Sequence, residues 1–208
     1  MHIRTASLAD AAALAAVEAA CFPPAEAATA AEITDRLAYY ADHFWLLEED
    51  DGTLVSFVDG MTTDEPTLRD EMYENAALHD EDGTWQMIFG VNTLPAYRRR
   101  GCAGAVLERV IADARAQGRR GCVLTCKDKL VHYYEKFGFV NEGVSQSTHG
   151  GVVWRELSHP WGRRTGGRTC CQRPRRRWGR SSGREPLPQP RRHRPYGVCW
   201  PPARRSWP

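Results

Sequence analysis

The segment Tyr97-Arg98-Arg99-Arg100-Gly101-Cys102-Ala103-Gly104 constrains this chain more than any other. Upstream, Trp85 to Val91 is an apolar run with the character of a strand. Downstream, Leu107, Val110, Ile111 and Ala114 recur at helical spacing up to a stop at Gly118. A strand therefore hands over to a helix across a turn of glycine, small residues and arginines. A helix N-terminus offers unpaired backbone N–H groups and the positive end of the helix dipole, and together these hold a phosphate. Gly101 is expected to lack a side chain so that the main chain can approach the anion closely.

The remaining elements follow from spacing and turn chemistry. His2 to Thr5 is a short first strand. Ser7 with Asp10 caps a helix whose Leu14, Val17 and Cys21 share one face, and Phe22-Pro23-Pro24 stops it. Thr29 and Glu32 form a second capping box ahead of Ile33, Leu37 and Tyr40. Phe44 to Glu48 and Thr53 to Gly60 flank the turn Glu49-Asp50-Asp51-Gly52 as a hairpin. Asp64 to Asp82 is an acidic loop with a helical segment from Leu68 to Ala77. A strand at Val123, a helix over Leu130 to Phe137 and a final hairpin ending in Val152 to Leu157 complete the reading. Strands and helices alternate around the anion turn and hairpins close both ends, so the class is α/β (α+β) with a mixed sheet.

Arg98-x-x-Gly101-x-Ala103 resembles the Arg/Gln-x-x-Gly-x-Gly/Ala signature of the GCN5-related N-acetyltransferase (GNAT) superfamily. After the strand at Val123, Tyr133-Tyr134-Glu135-Lys136-Phe137-Gly138-Phe139 resembles the family's Tyr-(Glu)-x-x-Gly-Phe element. Cys21 to Ala28 and Ser145 to Gly151 are most similar to the serotonin (arylalkylamine) N-acetyltransferase branch. The resemblance implies a mostly antiparallel central sheet of about seven strands flanked by helices, splayed at a parallel strand pair where acetyl-CoA binds. It implies acetyl transfer from acetyl-CoA, without a metal, to a small primary amine such as an arylalkylamine. A protein N-terminal or lysine acetyltransferase shares the same motifs, and a non-catalytic acetyl-CoA-binding module is the alternative from another class.

The resemblance also implies roles. Backbone N–H groups of Arg99, Arg100, Gly101, Cys102, Ala103 and Gly104 would meet the pyrophosphate, and Arg98 would add charge. The pantetheine arm would pair like an extra strand with Val91-Asn92-Thr93. Gly90 would be a bulge that splays this strand from the one at Val123. An N–H near Val91 would stabilise the carbonyl oxygen. Tyr134 is the expected general acid, because a phenol (pKa about 10) keeps its proton at neutral pH and can give it to a thiolate. Tyr133 is expected in the core. The serotonin branch carries two histidines on the strand before the turn, and this chain has none there. Glu26, in a loop that resembles the acceptor loop of insect relatives, is the leading base. His79 and His149 stand behind it because histidine titrates near neutrality, and a chain of waters is the alternative that needs no side chain. Phe22, Met72 and Tyr73 would supply apolar surface to the amine, and Glu26, Asp70 and Glu74 would attract its charge.

Charge divides the chain. Residues 1–157 carry 14 Lys and Arg against 25 Asp and Glu, whereas residues 158–208 carry 14 Arg, no Lys and only Glu185. The first part is read as the transferase domain and the second as an Arg/Pro-rich tail that cannot bury enough apolar surface to fold. Arginine without lysine, beside scattered Trp and Cys, has the look of out-of-frame translation of GC-rich DNA. A solvated tail without a role and a basic arm for nucleic acid are the alternatives. The seven cysteines form no Cys-x-x-Cys and no cluster with histidine at metal spacing, which argues for reduced thiols and against zinc. Asp10 and Glu18 bracket the Ala11 to Ala16 run too closely for a signal peptide. No apolar run is long enough to cross a membrane. A cytoplasmic enzyme, with a small-molecule amine as partner and neither membrane nor nucleic acid, is the expectation.

Overall fold

The computed structural model describes residues 1–161. The tail readings from residue 162 onward lie outside the described residues. Among the described residues, nine strands and five helices follow in the order β1 (His2–Thr5), α1 (Ala11–Cys21), α2 (Ala30–Tyr40), β2 (Phe44–Glu48), β3 (Leu54–Asp59), β4 (Thr62–Thr63), α3 (Glu71–Glu74), β5 (Trp85–Ile88), β6 (Gly90–Thr93), α4 (Cys102–Ala116), β7 (Gly121–Cys126), α5 (Val131–Glu135), β8 (Val140–Val144) and β9 (Arg155–Pro160). No helix among them is long and apolar enough to cross a membrane.

The capping signals act as read. Glu32 accepts the Thr29 N–H at 2.6 Å while Thr29 Oγ1 accepts the Glu32 N–H at 3.2 Å, satisfying two orphan donors at the start of α2. Asp10 accepts the Ser7 N–H at 2.7 Å and shapes the 3-10 turn that leads into α1. Along β2 every residue is buried, Phe44 and Leu46 in one core and Trp45 and Leu47 in the other, because alternate side chains leave opposite faces of the strand. Leu14, Val17, Ile33 and Leu37 of α1 and α2 fill the first core, and Val106, Leu107, Val110 and Ala114 of α4 fill the second.

The strands form two hydrogen-bonded sheets, β1-β2-β3-β6 and β4-β5-β7-β9-β8, rather than about seven strands in one. All pairs are antiparallel except β5 with β7. The run read as one strand from Trp85 breaks at Phe89, whose N–H donates to Asp59 O at 2.8 Å. Before the break it pairs with β7 up to Ile88 opposite Leu124; after it, β6 pairs with β3 instead. β7 continues to Cys126 against β9, so a gap opens between β6 and the end of β7.

The closing strand is displaced from its expected position. It begins at Arg155, not Val152, because Gly150 and Gly151 take left-handed φ of +63° and +67° and the Trp154 indole donates to His149 O at 2.8 Å, holding that stretch off the sheet. It ends at Pro160, with the Trp161 indole donating to Arg119 O, so the boundary placed after Leu157 falls inside β9.

Candidate functional site

The gap between β6 and β7 opens into a cavity of about 680 Å³. At one end is the turn before α4. Arg99 has φ +62° and Gly101 has φ +85° and ψ −3°, and this left-handed pair reverses the chain into the helix. A Cβ built on Gly101 would meet nothing within 4 Å, so the backbone conformation is what demands glycine within the protein itself. Gly101, Cys102, Ala103 and Gly104 line the cavity, as do Arg98 and Arg99. Arg98 Nε donates to Thr93 O at 3.2 Å. Arg100 is not part of the wall; its guanidinium lies over the Tyr97 ring, 5.2 Å from the centroid.

The strand break sets which groups of β6 face the gap. The Leu94 N–H donates to Val55 O at 3.0 Å. By the alternation of an antiparallel ladder, Asn92 and Gly90 then bond to β3, and the N–H and C=O groups of Val91 and Thr93 point to the open edge. Val91 and Thr93 line the cavity and Asn92 does not. Asn92 is fully buried with its main chain turned to β3, which corrects its expected place among the cofactor contacts. Gly90 is a site of close approach, since a Cβ there would lie 2.6 Å from Asp59 Oδ1 and 2.7 Å from Asn92 Nδ2.

Tyr134 reaches the cavity from α5 and is 7% exposed. Burial pushes its pKa above the ordinary phenol value, with Cys126 adding to the rise, so the hydroxyl keeps its proton at neutral pH. Tyr133, expected in the core, also lines the cavity and meets Phe137 edge-on, ring centroids 5.2 Å apart.

Glu26 sits in the wall on the far side. Its Oε1 accepts a hydrogen bond from Lys127 Nζ at 2.7 Å, while its Oε2 is buried without a partner. His149 is beside it, with Nε2 3.2 Å from Glu26 O and its ring stacked on Tyr73 at 4.9 Å. Phe22, Tyr73, Glu74, Phe89 and Trp154 complete an aromatic and acidic chamber. Met72 is in the core instead, and Asp70 ties down the segment before His149 by accepting from the Ser147 hydroxyl and, at 2.9 Å, from the Thr148 N–H.

His79 is remote from the cavity. It forms a cluster with His43 and Glu81 whose ligand atoms lie within 4.8 Å of one another. The Thr62 N–H occupies His79 Nδ1 at 3.3 Å, which puts the ring proton on Nε2, donated to Glu81 Oε2 at 3.2 Å.

Glu18 is a further carboxylate of the site, outside the residues expected from the sequence. It is 6% exposed on the buried face of α1, lines the cavity, and accepts the Ala28 N–H at 3.1 Å. Burial, followed by the charge of Asp59, pushes its pKa up to about 7. Asp59 is itself held by Arg36 at 3.1 Å. The signal was present, because Glu18 follows Leu14 by four residues and Val17 by one on the very face read as apolar.

The sequence profile of the Acetyltransferase (GNAT) family matches residues 11–139. The serotonin N-acetyltransferase of Homo sapiens is 31% identical over 124 residues, 57% of this chain and 58% of that protein. The serotonin N-acetyltransferase of Mesocricetus auratus is 31% identical over 109 residues, 52% of this chain and 51% of that one. The chain thus spans little more than half the length of these curated relatives. Among solved structures, the GphF GNAT-like decarboxylase in complex with isobutyryl-CoA matches with a TM-score of 0.67 at 24% identity, over 77% of this chain and 99% of that one. A GNAT family acetyltransferase from Brucella melitensis in complex with acetyl-CoA matches with a TM-score of 0.50 at 23% identity, over 77% and 88%. At these identities the likeness is one of fold.

Proposed function

The chain belongs to the acetyltransferase (GNAT) family, and on that premise we propose that it transfers an acetyl group from acetyl-CoA to a small primary amine with an aromatic body, an arylalkylamine. The observation that carries this reading is the cavity itself. It joins a helix N-terminus to an open strand edge, and that edge to a chamber of aromatic rings and carboxylates. Backbone N–H groups opening α4 would hold the pyrophosphate, with Arg98 and Arg99 neutralising its charge. Val91 and Thr93 would pair with the amides of the pantetheine arm as a missing strand does. The Tyr134 hydroxyl would give its proton to the departing thiolate. Phe22, Tyr73, Phe89 and Trp154 suit a flat apolar body, and Glu26 and Glu74 suit a cationic nitrogen.

Free thiol should appear when the purified protein meets acetyl-CoA with tyramine, tryptamine or another arylethylamine. Thiol release with peptide N-termini or lysine peptides but none of these amines would place the acceptor among proteins. Tight binding of acetyl-CoA with no release across a broad amine panel would leave a binding module. Four thiols among the described residues, Cys21, Cys102, Cys122 and Cys126, are unpaired, which suits a reducing compartment, and we place the enzyme in the cytoplasm.

A further inference from the structure

A carboxylate on the buried face of a helix destabilises the fold unless something pairs with it. Glu18 is such a group, and its partners are a backbone N–H and the Asn92 amide rather than a cation in direct contact. One oxygen, Oε1, accepts the Ala28 N–H at 3.1 Å. The other, Oε2, lies 3.7 Å from where a Gly90 side chain would begin, at the point where β5 and β6 part. The Asn92 side chain is buried at the same place, and its hydrogen bond to Glu18 offsets part of the rise in that carboxyl's pKa.

Charged and titratable groups face Glu18 from every neighbouring element: Asp59 from β3, Arg36 from α2, and Cys21, with Arg98 beyond it, from its own helix. Asp59 is fully engaged. Its Oδ2 accepts from Arg36 at 3.1 Å and its Oδ1 from the Gly90 N–H at 3.1 Å. Glu26 is bridged through Oε1 to Lys127 at 2.7 Å, and its Oε2 is buried without a partner. Of the three carboxylates, Asp59 and Glu26 are each bridged by a basic side chain, and Glu18, at the strand break, is not.

Resting on the acetyl-transfer reading, we propose that Glu18 is the catalytic residue that takes a proton from the nitrogen of the acceptor amine. An arylalkylamine arrives as an ammonium ion, and Glu18 removes one N–H proton to leave the nitrogen its lone pair. That lone pair forms the C–N bond to the acetyl carbon as the C–S bond breaks, and the Tyr134 proton goes to the sulfur. The second N–H proton, released as the amide forms, replaces the one that Tyr134 gave. Glu18 then returns its proton to water. A group titrating at about pH 7 can both accept and release a proton at neutrality.

The test measures thiol release by the full chain across the neutral pH range with two acceptors. One is tyramine, which is cationic throughout; the other is an arylhydrazine, already neutral. The wild type should show an acidic limb near pH 7 with tyramine. Glu18→Gln, which keeps an oxygen for the Ala28 N–H, should lose about 100-fold in kcat/KM with tyramine, lose the limb, and fall only a few-fold with the hydrazine. Acetyl-CoA affinity, read by calorimetry, should be unchanged. Glu18→Asp, which keeps the carboxylate, should retain the limb at a reduced rate. Equal losses with both acceptors would make Glu18 structural and overturn the proposal. So would an unchanged limb in Glu18→Gln, or a limb removed by Glu26→Gln instead. A wild type that binds acetyl-CoA but acetylates no amine would remove the transfer reading and this proposal together; an active wild type with an unaltered Glu18→Gln profile removes this proposal alone.

Discussion

Gly52 and Gly101 offer a matched pair. Both have φ +85°, and a Cβ on either would meet nothing within 4 Å. Gly52 closes the β2–β3 hairpin, donating its N–H to Glu49 O at 3.0 Å, whereas Gly101 precedes α4 at the cavity. Alanine at either position therefore costs only the strain of left-handed backbone, about 1–2 kcal/mol. At roughly 2–4 °C per kcal/mol for a chain of this size, each variant should melt about 2–8 °C below the wild type. The two should part company in ligand binding. If Gly101→Ala relieves its strain by turning even one N–H away from a bound pyrophosphate, a charge-assisted hydrogen bond of about 1.5–3 kcal/mol is lost. That is roughly a 10- to 100-fold rise in the Kd for acetyl-CoA. Gly52→Ala should bind acetyl-CoA as the wild type does. Calorimetric Tm and Kd for the two variants decide the matter. Equal affinities would mean that the turn does not hold the diphosphate, and an equal loss in both would trace the effect to general destabilisation.

Tyr134→Phe should lower turnover by about 10²–10⁴ while leaving acetyl-CoA affinity and Tm nearly unchanged, and an unaltered turnover would remove its role as acid. Glu18 has a folded-state pKa of about 7, above the ordinary 4.5, so its contribution to stability is whole below pH 4.5 and lost as pH rises through 7. Glu18→Gln resembles the protonated form at every pH; it should therefore melt above the wild type at alkaline pH, on the order of 1–3 kcal/mol more stable, with the gain vanishing in acid. A gain that persists below pH 4.5 would contradict that account. A chain ending at Trp161 keeps β9 whole, whereas one ending at Leu157 loses the pairs of Ser158, His159 and Pro160 with β7. The shorter chain should melt several degrees lower by circular dichroism, and equal melting would show those pairs to be dispensable.

What was legible in the sequence was whatever depends on local chemistry. The turn at Gly101 could be read because left-handed backbone calls for glycine and because helical spacing resumes at once behind it. The Thr29–Glu32 box and the Gly52 hairpin are equally local. The break at Phe89 was not visible in the same way, since Trp85 to Val91 is one apolar run and only the competing partners β7 and β3 divide it. Asn92 was misplaced for a related reason: which strand residues face the gap is set by register, and register belongs to the pairing. Glu18 had a visible signal in its helical phase, but the Ala-rich neighbours made it look like the flank of a surface helix. The closing strand slipped because the Trp154 indole bond to His149 O holds a valine-rich stretch away from the sheet.

The break at Phe89 has a mechanical consequence. It leaves two raw margins, Val91 to Thr93 on one side and Thr125 to Cys126 on the other, each able to accept an extended chain. A bound amide-bearing arm would close the seam as a keystone closes an arch. At a hundredfold excess over Kd it would add about 2.7 kcal/mol to folding stability. Because the seam joins two separately bonded sheets, slowed amide exchange should then spread through both halves of the molecule, well beyond the residues that touch the guest.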